Sequence, residues 1–334
     1  MTSASAIVHP WAAEATTRVR FGIETVAYAP WPVLRAFGQA LEDLGFDSLW
    51  LSDHPMVAGS ATWTHLAALA DATRRVRLGP LVACVSYANP VIVARAAADL
   101  DLISGGRALL GLGSGNVPSE FAQLGVPWQA ATERQATLEE ALQIVGPLLR
   151  GESVTAASGR FRPEGAVLNP PPMQQPYVPI LVGGGGEQTT LRFAARYADA
   201  SNLGVVSRAG GVFTPDAAVR KLAVLDGHLA EAGRPAGAVL RSGLLAAFLS
   251  ADPTAARAKR AGLPPEMAAL YEQLPFIETA EDAVQQARAM LAAGMRYVIF
   301  VVMPGDEETL RVLAERVLPA VVSSSGRACG PGSA

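Results

Sequence analysis

Cysteine is scarce in this chain of 334 residues: Cys84 lies in an apolar, strand-like run and Cys329 in a Ser/Gly-rich tail. Two thiols supply neither a disulfide framework nor an all-cysteine zinc site, which needs four ligands. Lysine is equally rare, with only Lys221 and Lys259 against frequent arginine, a bias that reads as the codon usage of a high-GC genome. Charged residues make up 17% and the net charge is -3, so the chain lacks the concentrated basic face that a nucleic-acid partner requires. No apolar run approaches the ~20 residues of a membrane span. The stretch Met1 to Ala15 has no basic segment leading into an apolar one, the mark of a secretory leader. The nucleophile-elbow pattern GxSxG and the zinc pattern HExxH are both missing. Histidines are few: His9 in a segment expected to be disordered, His65 and His228 on helices, and His54 beside Asp53. That single close pair cannot gather the three or more ligands of a catalytic metal. The expectation is a cytoplasmic protein with a small-molecule substrate and no metal, nucleic-acid or membrane partner.

Half the residues are hydrophobic, much of that alanine, enough to fill a large core. Short apolar runs alternate with amphipathic segments. A β-type run spans Arg18 to Thr25, and a helix pattern from Val33 to Leu44 ends at Gly45. Strands follow at Ser48 to Leu51 and Val76 to Val85, with a helix pattern at Trp63 to Ala72 between them. Pro90 is placed to open a helix that stops at Gly105-Gly106. Ala108 to Gly113 reads as strand and Glu133 to Leu149 as helix. The rhythm resumes after Pro179 and yields eight strand–helix pairs in all. Such alternation predicts parallel strands with crossover helices. A doubly wound sheet would place a phosphate loop at its first strand–helix junction. The junction Ala27 to Pro32 has no glycine cluster, which favours an α/β fold of the (β/α)8 TIM-barrel type. The expected layout is a disordered segment at 1–17, one barrel over 18–322 with an inserted hairpin and loop at about 151–178, and a disordered tail at 323–334.

In such barrels the strand ends at the C-terminal face carry function. Strand two ends in Ser52-Asp53-His54. Successive strand residues face opposite sides, so one of Asp53 and His54 enters the barrel mouth while the other braces the loop; a capped turn is the bland alternative. Strand four runs into Gly113-Ser114-Gly115-Asn116, whose glycines would let a planar ligand approach the backbone; a flexible loop leading to Glu120 explains it equally well. Strand five ends in Gly183-Gly184-Gly185-Gly186 ahead of a helix expected near Glu187, an arrangement suited to a phosphate.

Together these segments resemble the bacterial luciferase-like monooxygenase superfamily. The resemblance is carried by Leu41-Glu42-Asp43-Leu44-Gly45-Phe46-Asp47 leading into Ser48 to His54, by Leu102 to Arg107 with Leu110 to Gly115, by Pro179 to Gly186, and by Ala195 to Ala200. It covers about residues 18 to 320. It implies a luciferase-like barrel with insertions, often dimeric, that binds FMN or the deazaflavin F420. Ser-Asp-His at strand two is similar to the F420-dependent branch. By this resemblance Asp53 and His54 lie near the reactive ring, with His54 as proton donor or acceptor. Leu81 and Val82 fall where the family carries a non-prolyl cis peptide behind the ring. Ser114, Gly115 and Asn116 line the cofactor, and Gly183, Gly184, Gly185 and Gly186 hold its phosphate.

Two departures are visible. Some F420 dehydrogenases have glutamate where this chain has Asn116, and an amide cannot serve as a general acid, which shifts proton transfer to His54 or solvent. Phe276-Ile277-Glu278-Thr279 lacks the glycine usual before that threonine. The leading expectation is an F420-dependent oxidoreductase transferring hydride to or from a small organic substrate. Its alternatives are an FMN-dependent monooxygenase using reduced flavin and oxygen, and a non-catalytic cofactor-binding protein. Trp50, Val57, Trp63, Val85 and Tyr87 are expected to give the mouth an apolar character.

Overall fold

A computed structural model describes residues 8–15, 17–26, 29–56, 61–204, 214–263 and 276–325. Ten strands form one sheet: β1 (Arg20–Thr25), β2 (Ser48–Leu51), β3 (Arg77–Pro80), β4 (Ala83–Cys84), β5 (Leu110–Gly113), β6 (Ile180–Gly183), β7 (Ala200–Asn202), β8 (Leu240–Ala247), β9 (Phe276–Ile277) and β10 (Tyr297–Val301). Their order is β3-β2-β1-β10-β8-β7-β6-β5-β4, with β9 set beside β8, and the ladders are parallel. β3 and β4 are two halves of a single stave, parted at Leu81-Val82, whose peptide bond is cis. A parallel bridge between Leu78 and Ala108 links that stave to the β5 side and closes the circle. Eight staves result, and the expected barrel is the observed one.

Local sequence explains the helix positions. Asn89 accepts a hydrogen bond from the N–H of Val91, Pro90 opens the helix Pro90–Ser104, and Gly105 closes it with φ of 70°. In the helix Trp31–Asp43, Leu34, Phe37 and Leu41 repeat every three to four residues and are buried against the barrel wall.

Strand parity divides the interior into two shells. Phe21 and Ile23 face outward into the main core between staves and helices. Inside the barrel lie Trp50, Leu109, Leu181, Leu240, Tyr297 and Ile299. The Tyr297 hydroxyl sits at the centre of this inner shell, accepting from Trp50 Nε1 at 2.6 Å and sharing a hydrogen bond with Ser48 Oγ. Gly22 makes room for it, since a Cβ there would lie 2.8 Å from the same hydroxyl.

The segment expected to be disordered at the N-terminal side instead closes the bottom of the barrel. Residues Pro10–Glu14 form a short helix, α1. Trp11 packs edge-on to Tyr297 with ring centroids 6.0 Å apart. His9 is buried; its Nδ1 accepts from the Trp11 N–H at 3.1 Å and its Nε2 donates to the Tyr177 carbonyl at 2.9 Å. Arg20 ties the plug down through the Trp11 carbonyl, Glu14 and Asp47. One tryptophan and one histidine provide the anchoring, too few residues to show a periodic pattern. Residues 1–7 lie outside the described residues.

The insertion carries one antiparallel bridge, Val154 to Ala166, where a hairpin was expected. The chain after it docks through Met173 and Gln174, whose N–H groups both donate to Asp101 at 2.8 Å. The expected tail is helical as far as Ser325, in the helix Leu318–Ser325, and its remainder lies outside the described residues. No helix among the described residues is long and apolar enough to cross a membrane.

Replacing Tyr297 with Phe leaves Trp50 Nε1 without an acceptor and Ser48 without its partner in the dry inner shell. The expected cost is about 1–3 kcal/mol, read as a lower thermal midpoint. Ligand affinity at the mouth should stay unchanged, because the hydroxyl lies a layer below it.

Candidate active site

The C-terminal ends of the staves enclose a cavity of about 550 Å³. Asp53, His54, Leu81, Val82, Ser114, Gly115, Asn116, Gly183, Gly184 and Gly186 all line it. Asp53 braces: its Oδ2 accepts the Cys84 N–H at 3.0 Å and its carbonyl accepts from Tyr87 Oη at 2.8 Å, tying β2 to β4. Burial raises its carboxyl above the usual range, opposed in part by the Cys84 amide. The same burial pushes the Cys84 thiol up to about 12.

His54 is held by a residue that motif reading passed over. Its Nδ1 lies 2.9 Å from Glu120 Oε2, and Glu120 Oε1 accepts the Met56 N–H at 3.1 Å. Glu120 is 2% exposed. It sits in the first turn of the short helix Pro118–Gln123, next to buried Phe121. The signal available was an acid two residues after a helix-opening proline, at the end of a stretch read only as loop. Asn116 lines the cavity, while the carboxylate this chain offers to the imidazole comes from Glu120.

The glycines act differently from expectation. At Gly183 a Cβ would meet Val82 Cγ1 at 2.8 Å, and at Gly113 it would collide with Val82 Cγ2. The room that these glycines leave is therefore filled by Val82, not by a ligand lying on bare backbone. Gly115, at φ of 80°, needs its lack of a side chain both for its backbone and for Cys84 Sγ and Phe121 close by.

In the four-glycine loop, the Gly184 N–H donates to the Asn202 carbonyl and the Gly186 N–H to Thr190 Oγ1, each at 2.8 Å. Lys221, on the helix Pro215–Glu231, donates to the Gly185 carbonyl. At least two of the four amides are thus used within the protein, and the helix after them starts at Thr190, three residues later than expected. His228 lies 3.2 Å from Glu231 and donates to the Glu187 carbonyl.

The apolar mouth needs correction as well. Trp50 belongs to the inner shell and Val85 to the outer core, with Trp63 packed against that core. Of the four that are described, Tyr87 alone lines the cavity; Val57 lies outside the described residues. Aromatic character comes from an edge-to-face run, Tyr87 to Phe121 at 5.4 Å and Phe121 to Trp128 at 4.9 Å. The Arg134 guanidinium stacks 3.7 Å above the Trp128 ring. Beside it, Gln135 donates to Ser114 Oγ at 3.0 Å while its buried Oε1 has no partner among the described residues.

A model of the family described as luciferase-like monooxygenase matches residues 13–318. The chain belongs to this family. As a member it is an oxidoreductase. Among its relatives, an F420-dependent glucose-6-phosphate dehydrogenase of Microbacterium testaceum is 29% identical, over 91% of this chain and 98% of that protein. A 5,10-methylenetetrahydromethanopterin reductase of Archaeoglobus fulgidus is 33% identical over 54% of this chain, a match that spans only 52% of the reductase. The same fold occurs in an F420-dependent secondary alcohol dehydrogenase in complex with an F420-acetone adduct, with a TM-score of 0.78 at 21% identity, covering 91% of this chain and 99% of the other. It occurs too in the oxygenating constituent of a 3,6-diketocamphane monooxygenase from Pseudomonas putida in complex with FMN, with a TM-score of 0.67 at 17% identity, covering 90% and 98%.

Inside the barrel mouth, Glu24 on β1 is a second residue that sequence reading passed over. Burial pushes its carboxyl up to about 7, against the opposing hydrogen bond from Ser52 and the charge of His54. The folded state binds this proton more tightly than the unfolded chain, where the carboxyl keeps its ordinary value of 4.5. Stability from the group is therefore full below pH 4.5 and lost as pH rises through about 7. Glu24→Gln removes the penalty. Its stability relative to the parent should grow between pH 5 and pH 8 by on the order of 3 kcal/mol, read from denaturant midpoints. An offset independent of pH would contradict this.

Proposed function

We propose that the chain is an F420-dependent oxidoreductase that moves a hydride between the deazaflavin and a small organic substrate at the C-terminal mouth of the barrel. The observation that carries the reading is the imidazole of His54, fixed by the buried carboxylate of Glu120 and opening onto a cavity floored by Leu81 and Val82. A cavity of this size accommodates a tricyclic ring with a small substrate beside it. Leu81 and Val82 would form the apolar shelf beneath the ring. Asp53, Ser114, Gly115 and Asn116 would line its edge. Gly183 to Gly186, with Thr190 behind them, would receive the phosphate.

When bound, the deazaflavin supplies the two-electron hydride chemistry. The protein supplies the rest. His54 gives or takes the proton at the substrate oxygen, and Glu120 orients the ring through Nδ1 and balances the imidazolium charge. Asp53 keeps β2 and β4 in register beneath the site. Asn116 offers hydrogen bonds but no proton. Arg134, stacked on Trp128, and the unpartnered Gln135 Oε1 give the rim two further polar contacts.

The relative named for F420 over nearly its whole length supports this cofactor, and the neighbour holding FMN keeps an FMN-dependent monooxygenase as the second reading. The tethered imidazole argues against a purely binding role, for which Glu120 would have no use. A homodimer and a cytoplasmic location complete the proposal, on the family resemblance and the cysteine usage.

Side-by-side fluorescence titration with F420 and FMN, followed by anaerobic turnover of reduced F420 with ketones, aldehydes and activated alkenes, tests the reading. F420 should bind and be oxidised, and His54→Ala should slow that oxidation by about 10²–10⁴-fold while leaving F420 affinity nearly intact. FMN binding with substrate-dependent oxygen uptake, and no turnover of F420, would sink it.

A further inference from the structure

Glu24 takes no part in the proton path just described, yet it faces the same cavity. It occupies an inward position on β1, in register with Trp50 of β2 and Val301 of β10, and is 5% exposed. Ser52 donates its hydroxyl proton to Glu24 Oε1. The Ser52 backbone is fixed on both sides, its N–H on the Thr25 carbonyl and its own carbonyl on Thr62 Oγ1, each at 3.0 Å. The hydroxyl therefore holds the carboxyl in one orientation, and no described protein atom hydrogen-bonds Oε2.

Among the described residues no cation pairs with this group; Arg134 lines the same cavity but stacks on Trp128. On β10 its neighbours are Val301 and Ile299, with Tyr297 below. On β2 the charged groups beyond Ser52 are Asp53, engaged with Cys84, and His54, engaged with Glu120. On β1 itself Arg20 lies at the barrel bottom, committed to Glu14 and Asp47. Desolvation makes a carboxyl in such a place keep its proton up to about pH 7, against the lowering effects of the Ser52 hydrogen bond and of His54.

We propose that Glu24 is a specificity-determining hydrogen-bond donor, its Oε2–H aimed into the cavity at an uncharged oxygen of the bound ligand. This deepens the functional reading above and rests on it for the identity of the ligand. The chemistry recognised is a carbonyl or hydroxyl oxygen. Glu24, Asp53 and Glu120 converge on one cavity, so an anionic group at this point would face three carboxyls. The oxygen belongs either to a ring carbonyl of the cofactor or to the substrate.

Infrared spectra of the cofactor-free protein provide the first test. A protonated-carboxyl C=O band should be present at pH 6, fade through about pH 7, and be missing in Glu24→Gln. Binding provides the second, with the parent, Glu24→Gln, which keeps an N–H donor, and Glu24→Ala, which has none. If the oxygen is the cofactor's, Ala weakens F420 binding about tenfold and Gln does not. If it is the substrate's, F420 binding is unchanged and KM for the substrate rises about tenfold in Ala alone. In either case the parent loses the same affinity between pH 6 and pH 8 and Gln keeps it. A missing or non-titrating band overturns the proposal, as do Ala and parent behaving alike in both measurements at pH 6. Should FMN bind where F420 does not, the functional reading falls, and the same variants titrated with FMN decide the role of Glu24.

Discussion

The mouth of this barrel depends on where one side chain goes. Val82, just past the cis peptide that parts the third stave, projects across the barrel and occupies the space that side chains at positions 113 and 183 would otherwise need. Two glycines on two different strands are thereby accounted for by a single packing contact. The contact converts what would be a polar, glycine-lined opening into an apolar shelf with Leu81 beside it. Polar groups stand around it: Asp53 and His54, Ser114 and Asn116, the loop glycines Gly183, Gly184 and Gly186, and Glu24 within the mouth.

Acidic groups are distributed around that shelf by burial and by partner. Asp53 is spent on the Cys84 amide and acts as a strut. Glu120 is spent on His54 and the Met56 amide, so it fixes the imidazole. Glu24 has only Ser52 among the described residues and lines the cavity. Three carboxyls in one cavity thus have three separate tasks, because each meets a different set of donors.

Much of this was legible in the sequence. Alternating short apolar runs and amphipathic segments gave the barrel, and strand ends rich in glycine and polar residues located its mouth. Ser52-Asp53-His54 stands where strand two leaves the barrel; Asp53 and His54 both line the cavity, and Asp53 also ties β2 to β4. What stayed hidden depends on contacts between distant segments. Glu120 stands 66 positions after His54, and nothing local marks it as that residue's partner. The reason for Gly113 and Gly183 lies in Val82, on another strand. The N-terminal plug needs only His9 and Trp11, whose partners Tyr177 and Tyr297 are far along the chain. Glu24 was the exception: with Phe21 and Ile23 facing the outer core, period-two parity alone turns it into the barrel.

The most direct test of the account is a crystal structure of the protein grown with oxidised F420. The account predicts density for the tricyclic ring lying on Leu81 and Val82, with its edge toward His54 and its phosphate at the Gly183 to Gly186 loop. A ring seated elsewhere, or a phosphate far from that loop, would contradict it.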